Sequence, residues 1–390
     1  MKAHPRSGRL VQQIDGYRAF EPSPLPPQPP VAYEQVLVAR LSAADTAIGR
    51  LDGLARVLPD ADLFLAMYVR HEALLSSRIE GTDCSLDDVL AFELDEAAPV
   101  PELDVREVVN YVGALSRGIE LLGELPLCNR LLREVHGTLL RSGRGSDKTP
   151  GEFRRTQNWI GPQGCSLAGA TYVPPPPLVM EQAMTDLESF LHEITHPVLI
   201  TVGLAHAQFE TIHPFLDGNG RTGRLLVSLL LHERNELQKP VLHISAYLNR
   251  RRTTYFDHLM TVREDGDWEG WLTFFLEAVR DAADDAARTA SAIHLLRETD
   301  RARLSARGGA QNDLRLLDAL YGQPLVNAGW VGRTLDVAPT TAIRLLDRAV
   351  DAGVLRETTG QRRNRVYRYD RYISLFETET GPIASDRTVD

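Results

Sequence analysis

The stretch from residue 213 to residue 224 constrains this chain most, because it joins two apolar runs through a turn of unusual composition. Its sequence is His-Pro-Phe-Leu-Asp-Gly-Asn-Gly-Arg-Thr-Gly-Arg. An apolar run at helical spacing covers residues 198–212, and another covers residues 225–233. The pattern therefore predicts a loop that enters a helix.

The residue types in this turn favour an anion site. Its glycines permit close backbone approach, and the N–H groups of a helix N-terminus attract phosphate. Arg221 and Arg224 are three residues apart, so both lie on one helical face and can donate to phosphate oxygens, and Asn219 can add a donor. Asp217 is then free for Mg²⁺, and His213 can accept a proton from an attacking hydroxyl. A single histidine or arginine is usually a packing or surface residue, but the full set indicates a site.

This stretch resembles the signature of the Fic family, His-Pro-Phe-x-Asp/Glu-Gly-Asn-Gly-Arg-x-x-Arg, at every specified position. The resemblance implies a mainly α fold with a helical core and a small β-hairpin flap, and transfer of AMP from ATP to a protein hydroxyl with release of pyrophosphate. His213 would be the base and Asp217 the Mg²⁺ ligand. The residues implied to bind ATP are Gly218, Asn219, Gly220, Arg221, Thr222, Gly223 and Arg224. Relatives that phosphorylate their targets carry lysine in place of Gly220, so this glycine favours nucleotide transfer.

A second segment, residues 62–80, has apolar pairs at helical spacing and is predicted to be an amphipathic helix that stops at Gly81. Glu80 would face the negative end of the helix dipole, which costs roughly 0.3–1 kcal/mol unless a cation compensates. Ser76, Glu80 and Gly81 match the inhibitory motif of Fic proteins, Ser/Thr-x-x-x-Glu-Gly/Asn. The resemblance implies that Glu80 pairs with Arg224 and holds ATP in an unproductive pose.

Residues 151–161 and 170–173 are predicted to form two short extended arms around a glycine-rich turn. In Fic proteins this region is the flap, here at about residues 158–174, which docks the backbone of the target by strand addition. The predicted docking residues are Ile160, Ala170, Thr171, Tyr172 and Val173. A surface hairpin without function is the alternative.

Two tyrosines after the signature, Tyr247 and Tyr255, lie where the family places its adenine pocket. They are candidates for packing against the base, but each is more readily explained as a core aromatic. His206 lies two helical turns before His213, and no cysteine or carboxylate completes a metal-ligand set at the usual spacing. We therefore predict that His206 is an ordinary helix residue.

The C-terminal segment, residues 312–376, is predicted to be a winged helix-turn-helix domain. The predicted helices cover residues 312–320, 331–335 and 339–352, and two extended stretches flank a basic turn at residues 360–365. Residues 340–371 contain eight arginines and four acidic residues. The residues predicted to contact DNA are Arg344, Arg348, Arg362, Arg363 and Arg365. Asp347 and Asp351 add negative charge to the presumed recognition helix, so docking of a protein or packing on the core is the alternative.

The chain of 390 residues is long enough for two or three domains. The predicted divisions are an N-terminal region with a proline-rich strap and the inhibitory helix (1–103), the catalytic core (104–285), a helical linker (286–311), the winged helix-turn-helix domain (312–376) and a tail (377–390). The net charge of −10 argues against a chain that coats nucleic acid along its whole length. The sequence has no apolar run long enough to span a bilayer and three scattered cysteines, so we expect a cytoplasmic protein in a reducing compartment.

Two functions of different kinds agree with these patterns. The first is an AMP transferase, restrained by Glu80, that modifies a Tyr, Thr or Ser hydroxyl of a protein target and of itself, with the winged helix recruiting a target or forming a homodimer. The second is a DNA-binding transcriptional regulator whose Fic core senses a nucleotide. A third alternative concerns the direction of the reaction, because Glu80 could orient a water molecule that removes AMP from a modified protein. The sequence does not identify the target protein.

Overall fold

A computed structural model describes residues 2–57, 61–94, 103–162, 164–306 and 311–377. The described part is mainly helical, as predicted. Its helices, in chain order, are α1 (Gln35–Val57), α2 (Ala61–Ile79), α3 (Leu86–Leu94), α4 (Leu103–Leu122), α5 (Asn129–Leu139), α6 (Pro177–His192), α7 (Val198–Ile212), α8 (Asn219–Glu233), α9 (Ser245–Arg250), α10 (Arg252–Asp265), α11 (Trp268–Ala306), α12 (Gln311–Gly322), α13 (Ala328–Leu335), α14 (Pro339–Asp351) and α15 (Asp370–Glu377). The strands are β1 (Gly8–Gln12), β2 (Arg18–Pro22), β3 (Leu325–Asn327), β4 (Arg356–Glu357) and β5 (Val366–Arg368).

Helix α7 lies at the centre of the core. Every residue from Leu199 to Ile212 is buried, so neighbours cover this helix on all sides. It packs against α6, α8, α10 and α11. Trp271 of α11 donates from Nε1 to the carbonyl oxygen of Gly203 at 2.8 Å, and α11 approaches α7 here because Gly203 has no side chain. The loop that follows α7 therefore starts from a densely packed framework.

Helix α2 packs beside α4, α8, α9 and α12. It ends at Ile79, and Gly81 adopts a left-handed φ of 91° while its N–H donates to the carbonyl oxygen of Arg78 at 3.0 Å. The predicted stop at Gly81 is therefore confirmed, for the reason that glycine tolerates this conformation. The end of α2 consequently lies next to the N-terminus of α8.

The N-terminus forms a β-hairpin that was not predicted from the sequence. Strand β1 pairs with β2 in antiparallel register, with Gly8 opposite Pro22 and Gln12 opposite Arg18. The connecting turn contains Asp15-Gly16, a dipeptide that is a strong hairpin signal and could have revealed it.

The predicted flap is less regular than two extended arms. Its described residues contain one antiparallel bridge, in which the N–H of Ile160 donates to the carbonyl oxygen of Tyr172 at 2.8 Å and the reverse bond measures 3.0 Å. A short 3-10 turn, Leu167–Gly169, lies between the two residues. Pairing stops after one bridge because Pro162 and the run of prolines from residue 174 have no N–H to donate. The backbone N–H of Phe20 in β2 donates to the carbonyl oxygen of Val173 at 2.9 Å, so the N-terminal hairpin lies beside the second arm of the flap.

The C-terminal part contains α12, α13 and α14, followed by two short strands and α15. Strand β5 lies between β3 and β4 and is antiparallel to both. This part packs on α2 and α3: Arg70 donates to the carbonyl oxygen of Gly322 at 3.1 Å, and Gln323 donates to that of Leu90 at 3.0 Å. The winged helix-turn-helix interpretation of this element order remains a prediction.

Helix α11 runs without interruption through the predicted boundary between residues 285 and 286. The predicted tail lies outside the described residues except for residue 377. None of the described helices combines the length and the apolar character that crossing a membrane requires.

Candidate functional site

The loop between α7 and α8 is held by hydrogen bonds to its backbone. His213 ends α7 in the left-handed conformation, with φ 51° and ψ 62°, and its carbonyl oxygen accepts a 2.9 Å bond from Arg154 Nε. The side chain of Asn219 closes the loop, because its Nδ2 donates to the carbonyl oxygen of Phe215 and its Oδ1 accepts from the N–H of Phe215, both at 2.8 Å. Gly218 precedes α8 with a φ of 75°. The loop therefore presents a fixed backbone to whatever binds it.

The imidazole of His213 is suited to accept a proton. Its Nδ1 is buried and has no side-chain hydrogen-bond partner among the described residues, and the backbone of Glu210 lies close enough to interact with the ring. Desolvation of the ring lowers the pKa of His213 to about 3, and the guanidinium charges of Arg154 and Arg263 act in the same direction. The side chain is therefore neutral at physiological pH, which is the form that a general base requires.

The first turn of α8 provides backbone donors for an anion. Asn219, Gly220 and Arg221 occupy the first positions of the helix, whereas the N–H of Thr222 already donates to the carbonyl oxygen of Gly218 at 3.0 Å. The Thr222 hydroxyl donates to the same carbonyl oxygen at 2.9 Å. Among the residues that the resemblance implied for ATP, the side chains of Asn219 and Thr222 thus have other partners, because both stabilise the loop.

Gly223 lies one turn further along α8, where its role is packing. Its carbonyl oxygen accepts a 2.9 Å hydrogen bond from His206 Nδ1, and a methyl group at Gly223 would lie 2.5 Å from the buried carboxylate of Glu210. The other ring nitrogen of His206 pairs with the Tyr255 hydroxyl at 2.9 Å. Both nitrogens of His206 are therefore engaged within the core.

Asp217 is the signature carboxylate that faces the loop surface. Its side chain is 35% exposed, and its Oδ1 lies 3.6 Å from Arg221 Nη2. Gly145 packs against it, since a methyl group at Gly145 would lie 2.8 Å from Asp217 Oδ2. The part of the chain that the structure describes contains no group of three or more His, Cys, Asp or Glu side chains arranged to hold a metal. A cation at Asp217 would therefore need oxygen ligands from phosphates or water, which is the usual situation of protein-bound Mg²⁺.

Glu80 reaches the signature from the end of α2. Its Oε1 accepts a 2.8 Å bond from Arg224 Nη2, and the Arg224 guanidinium also donates to Ser76 Oγ at 2.8 Å and to the Ser76 carbonyl oxygen at 2.9 Å. The Arg224 side chain is 1% exposed and that of Glu80 is 34% exposed. The Glu80 carboxylate lies against Gly220, where a methyl group would collide with it. Glu80 thus covers the first turn of α8 and occupies the guanidinium of Arg224.

The pKa values of this pair favour a stable ion pair. Burial alone would raise the pKa of Glu80, but the charge of Arg224 and its hydrogen bond hold that pKa below its ordinary value. Burial likewise opposes the charged form of Arg224, and Glu80 raises the pKa of the guanidinium above its ordinary value. Both groups are therefore charged at physiological pH.

Sequence reasoning missed a carboxylate that joins three parts of the site. Glu107 of α4 is fully buried and accepts from Arg221 Nη1 at 3.2 Å and from Thr82 Oγ1 at 2.9 Å. Arg144 Nε lies 3.0 Å from the other oxygen of Glu107. The available signal was a glutamate between the apolar positions Val105 and Val108, which are buried in α4.

His136 of α5 is a second missed residue. Its Nδ1 accepts from the N–H of Gly151 at 2.9 Å, so the network assigns the proton to Nε2, which donates to the carbonyl oxygen of Asp217 at 3.0 Å. Its ring stacks on Phe215 with centroids 3.6 Å apart. Burial lowers the pKa of His136 to about 4, so the residue stays neutral and fixes the loop at Asp217. A histidine within the apolar stripe of α5 was the available signal.

The two candidate adenine-packing tyrosines are both core residues. Tyr255 is 1% exposed and donates to His206. Tyr247 is 2% exposed, packs against Phe274 and carries the guanidinium of Arg251 4.1 Å above its ring. Neither ring presents a free face to a base in this structure, which agrees with the alternative interpretation of both as core aromatics.

The predicted docking residues of the flap differ in exposure. Ile160 and Thr171 are exposed, and Ala170 and Val173 are partly buried. Tyr172 is 1% exposed, and its hydroxyl donates to the carbonyl oxygen of Thr211 at 2.6 Å. The Tyr172 side chain therefore anchors the flap to α7, which leaves the backbone and the exposed neighbours for any partner.

The five C-terminal arginines fall into two groups. Arg344, Arg362 and Arg363 form the first group and are exposed; Arg348 is exposed as well but is ion-paired. Arg348 donates to both carboxylate oxygens of Asp313, at 2.9 and 3.0 Å, and Arg365 lies 3.3 Å from Asp347. Arg348 and Arg365 thus have internal ion-pair partners, which the helical pattern alone did not indicate.

Comparison with known proteins identifies two matched regions. Residues 38–120 match the family model described as "Fic/DOC family N-terminal", and residues 126–231 match the model described as "Fic/DOC family". The second region contains the loop with His213 and Asp217, and the first contains Glu80 and Glu107.

Several relatives share about half of this chain. "Protein adenylyltransferase Fic" of Drosophila grimshawi is 28% identical over 195 residues, which cover 49% of this chain and 35% of that protein. The protein of the same name from Culex quinquefasciatus is 32% identical over 157 residues, which cover 39% of this chain and 28% of that protein. "Probable protein adenylyltransferase" of Aquifex aeolicus is 28% identical over 190 residues, covering 48% and 56%. The chain therefore spans between about a quarter and just over half of the length of these relatives.

Solved structures share the fold. A Fic family protein from Desulfovibrio desulfuricans G20 superposes with a TM-score of 0.56 at 22% identity, covering 88% of this chain and 98% of that one. A Fic domain containing signaling protein from Bacteroides thetaiotaomicron superposes with a TM-score of 0.53 at 18% identity, covering 64% and 97%. The chain therefore contains a Fic/DOC family N-terminal domain at residues 38–120 and a Fic/DOC family domain at residues 126–231, and it has the fold of these solved proteins.

Proposed function

We propose that this protein is an AMP transferase that moves AMP from ATP to a Tyr, Thr or Ser hydroxyl of a protein target, with release of pyrophosphate. The observation that carries the proposal is the position of His213, a neutral base at the entrance of a helix N-terminus whose first N–H groups are free for phosphate. The names of the relatives support the same activity.

In the proposed reaction, His213 accepts the proton of the target hydroxyl. The hydroxyl oxygen attacks the α-phosphorus, and the bond from this phosphorus to the oxygen that bridges to the β-phosphate breaks. AMP is then joined to the target through an ester bond, and pyrophosphate leaves with both bonding electrons. The backbone donors of Asn219, Gly220 and Arg221 and the guanidinium groups of Arg221 and Arg224 would stabilise the charge on the phosphates.

The residues present fit Mg²⁺ at Asp217. The carboxylate is accessible and a third exposed, and Mg²⁺ commonly combines one or two carboxylates with substrate phosphates. When bound, the ion would neutralise charge on the transferred and leaving phosphates. His136 supports this position, because it holds the carbonyl oxygen of Asp217.

Glu80 restrains the proposed reaction in two ways. It occupies the Arg224 guanidinium, and its carboxylate lies over Gly220, where a phosphate would bind. ATP must displace Glu80 from Arg224 before its phosphates can reach the productive position. Release of Glu80 is therefore the proposed step of activation.

The target would dock on the flap through its backbone. Asn158, just before Ile160, donates to the carbonyl oxygens of His213 at 3.3 Å and of Phe215 at 2.8 Å. This bond holds the start of the flap beside the base, so an extended segment paired with the flap would pass close to His213. Exposed loops of the same chain could dock in this way, which leads us to expect self-modification.

The test of the proposal is transfer from ATP labelled at the α-phosphate, together with intact mass, in a cell lysate with Mg²⁺. We compare the wild type, Glu80→Gly and Glu80→Gly/His213→Ala. Label should rise with the first change and fall by about 10²–10⁴-fold with the second, which is the usual contribution of a general base. Absence of label in all three proteins would count against AMP transfer and favour a nucleotide-sensing regulator.

The reverse direction is a second candidate. The Glu80 carboxylate is a third exposed and close enough to His213 to raise the pKa of the imidazole slightly against the larger effect of burial. A water molecule held by Glu80 could therefore attack the phosphorus of an AMP-modified protein. Incubation of a purified modified target with the wild type and with Glu80→Gly distinguishes the two, because only removal of AMP needs Glu80.

DNA binding by the C-terminal part is a third candidate, favoured by the exposed Arg344, Arg362 and Arg363. It is weakened by Arg348 and Arg365, whose charges are already paired with Asp313 and Asp347. Titration of the full chain with duplex DNA at several salt concentrations tests it. A lack of salt-dependent binding, or equal binding after Arg362→Ala/Arg363→Ala, would exclude this role for the basic turn.

A further inference from the structure

Six charged side chains at the site form two groups of ion pairs. In the first, Glu107 joins Arg144 to Arg221, and Arg221 faces Asp217. In the second, Arg224 holds Glu80. Three of these side chains are positive and three are negative, so the two groups together are neutral while Glu80 is in place. Glu107 and Arg144 lie outside the signature, and their opposite charges cancel in this sum, so Arg144 restores the positive charge that the buried Glu107 removes.

The balance shifts when Glu80 leaves. The signature residues Arg221, Arg224 and Asp217, taken with Glu107, then carry no net charge, because Glu107 neutralises one of the two arginines. Such a set would attract a nucleotide triphosphate weakly. Arg144 adds the one positive charge that makes the opened cluster cationic.

Arg144 lies close to the residues that surround the N-terminus of α8, where the phosphates of a nucleotide would bind. Its Nη2 lies 3.4 Å from Thr82 Oγ1, which places the guanidinium beside the segment that follows Glu80. Its neighbour Gly145 packs against the carboxylate of Asp217. Arg144 thus contacts Thr82, two residues after Glu80, and precedes Gly145, which packs against Asp217.

Arg144 also has unused donor capacity. Its side chain is 45% exposed, whereas those of Arg221 and Glu107 are each 1% exposed. Glu107 fixes it from the buried side through Nε and Nη2, with contacts of 3.0 and 3.2 Å. A guanidinium held in this way loses little conformational freedom when its remaining N–H groups bind an anion.

We propose that Arg144 is a further phosphate-binding residue of the nucleotide site, positioned by Glu107 and directed at the polyphosphate chain of ATP and at the pyrophosphate product. This inference rests on the proposed nucleotide binding. It extends the anion site beyond the helix N-terminus and the two signature arginines, onto the loop between α5 and the flap.

The test uses Glu80→Gly as the parent, so that Glu80 does not mask nucleotide binding. ATP affinity is measured by calorimetry, and kcat and KM for ATP are measured by transfer of label from the α-phosphate. Arg144→Gln should weaken ATP binding and raise KM by about tenfold or more, the loss expected for one charged hydrogen bond to phosphate. The value of kcat should change much less, because Arg144 does not touch the hydroxyl that is modified.

Two variants of the parent serve as controls. Lys148→Gln removes the same charge from the same loop, but Lys148 pairs with the exposed Asp147 and not with Glu107. It should leave the dissociation constant within about twofold, since screening weakens the effect of exposed charges that are not in contact with the ligand. Arg144→Lys keeps the charge without the fork of donors and should give an intermediate affinity.

The outcomes separate this inference from the proposed activity. Unchanged ATP affinity in Arg144→Gln, or an equal loss in Lys148→Gln, would overturn the assignment of Arg144. If the parent binds ATP but transfers no AMP, the proposed activity fails while the calorimetric comparison still decides the role of Arg144. Melting temperatures close to that of the parent show that each variant is folded.

Discussion

Replacement of Glu80 by glycine removes the carboxylate that accepts a hydrogen bond from Arg224, the contact that we propose to be inhibitory. In the structure, Arg224 has one hydrogen bond to Glu80 at 2.8 Å and two to Ser76, at 2.8 and 2.9 Å. The substitution deletes only the first of these bonds. It also clears the space over Gly220, so the first turn of α8 opens to phosphate.

The size of the effect follows from the bond that ATP must break. A hydrogen bond between charged groups contributes about 1.5–3 kcal/mol, and the 34% exposure of the Glu80 side chain favours the lower part of that range. Since 1.4 kcal/mol corresponds to a factor of ten, we expect Glu80→Gly to raise AMP transfer by about tenfold and by at most roughly a hundredfold.

The assay is the initial rate of transfer from ATP labelled at the α-phosphate, with Mg²⁺ and a saturating protein target. Glu80→Gln is the matched control, because it keeps the size and one acceptor oxygen but replaces the charged carboxylate by a neutral amide. We expect its rate to lie between those of the wild type and Glu80→Gly. A rate in Glu80→Gly that is unchanged or lower would refute the inhibitory role of Glu80 and leave the ion pair as a structural contact.

Three further predictions concern pH, the missed histidine and the C-terminal arginines. Burial lowers the pKa to about 3 or 4 in the histidines His71, His136, His206, His213 and His243, and raises it to about 7 in the glutamates Glu72 and Glu210. Below pH 6.5, the ordinary pKa of histidine, such a histidine takes up a proton on unfolding, so the free energy of unfolding decreases as pH falls. Such a glutamate releases a proton on unfolding, so it stabilises the folded protein at low pH, and this stabilisation is lost as pH rises through about 7. Since the histidines outnumber the glutamates, the melting temperature should fall between pH 6.5 and pH 4 in calorimetry, and a rise on acidification would contradict this. His136→Ala should lower transfer by the Glu80→Gly parent at least tenfold and destabilise the fold by about 1–3 kcal/mol in urea unfolding, because it removes the bonds to Asp217 and Gly151; full activity would show that the loop does not need this anchor. Arg348→Ala should destabilise the protein by about 1–3 kcal/mol through the loss of both hydrogen bonds to Asp313, whereas Arg344→Ala should stay within about 0.5 kcal/mol, and equal unfolding curves would contradict the structural role of Arg348.

The helices were predictable because their signals are local. The apolar run at residues 198–212 coincides with α7, and the predicted stop at Gly81 matches the left-handed residue that ends α2. The hairpin of β1 and β2 was not predicted, although Asp15-Gly16 marks its turn. Its strands have only five residues each, and a proline-rich segment follows them directly. The flap was predicted in place but with too much regular pairing, since prolines restrict its ladder to one bridge.

Within the site, the composition of the loop indicated an anion-binding site, but it did not indicate the hydrogen-bond partners of the individual side chains. The pattern correctly placed His213 at the entrance of the loop, directly after α7, and the glycines at the start of α8. It did not show that Asn219 and Thr222 use their side chains to close the loop, because a polar side chain near a helix N-terminus can bond to backbone or to ligand with the same residue type.

The local chemistry of the site is encoded in the sequence: a histidine, a carboxylate, glycines and two arginines follow one another within twelve residues, and helix geometry puts the arginines on one face. Which charges meet depends on the packing of distant segments. Glu80 reaches Arg224 across 144 residues, and Glu107 reaches Arg221 across 114 residues. No periodicity within a helix specifies a partner at that distance, because such contacts depend on how α2, α4 and α8 pack against each other. The same packing brings Arg144 to Glu107, and with it the charge that we propose for binding the nucleotide.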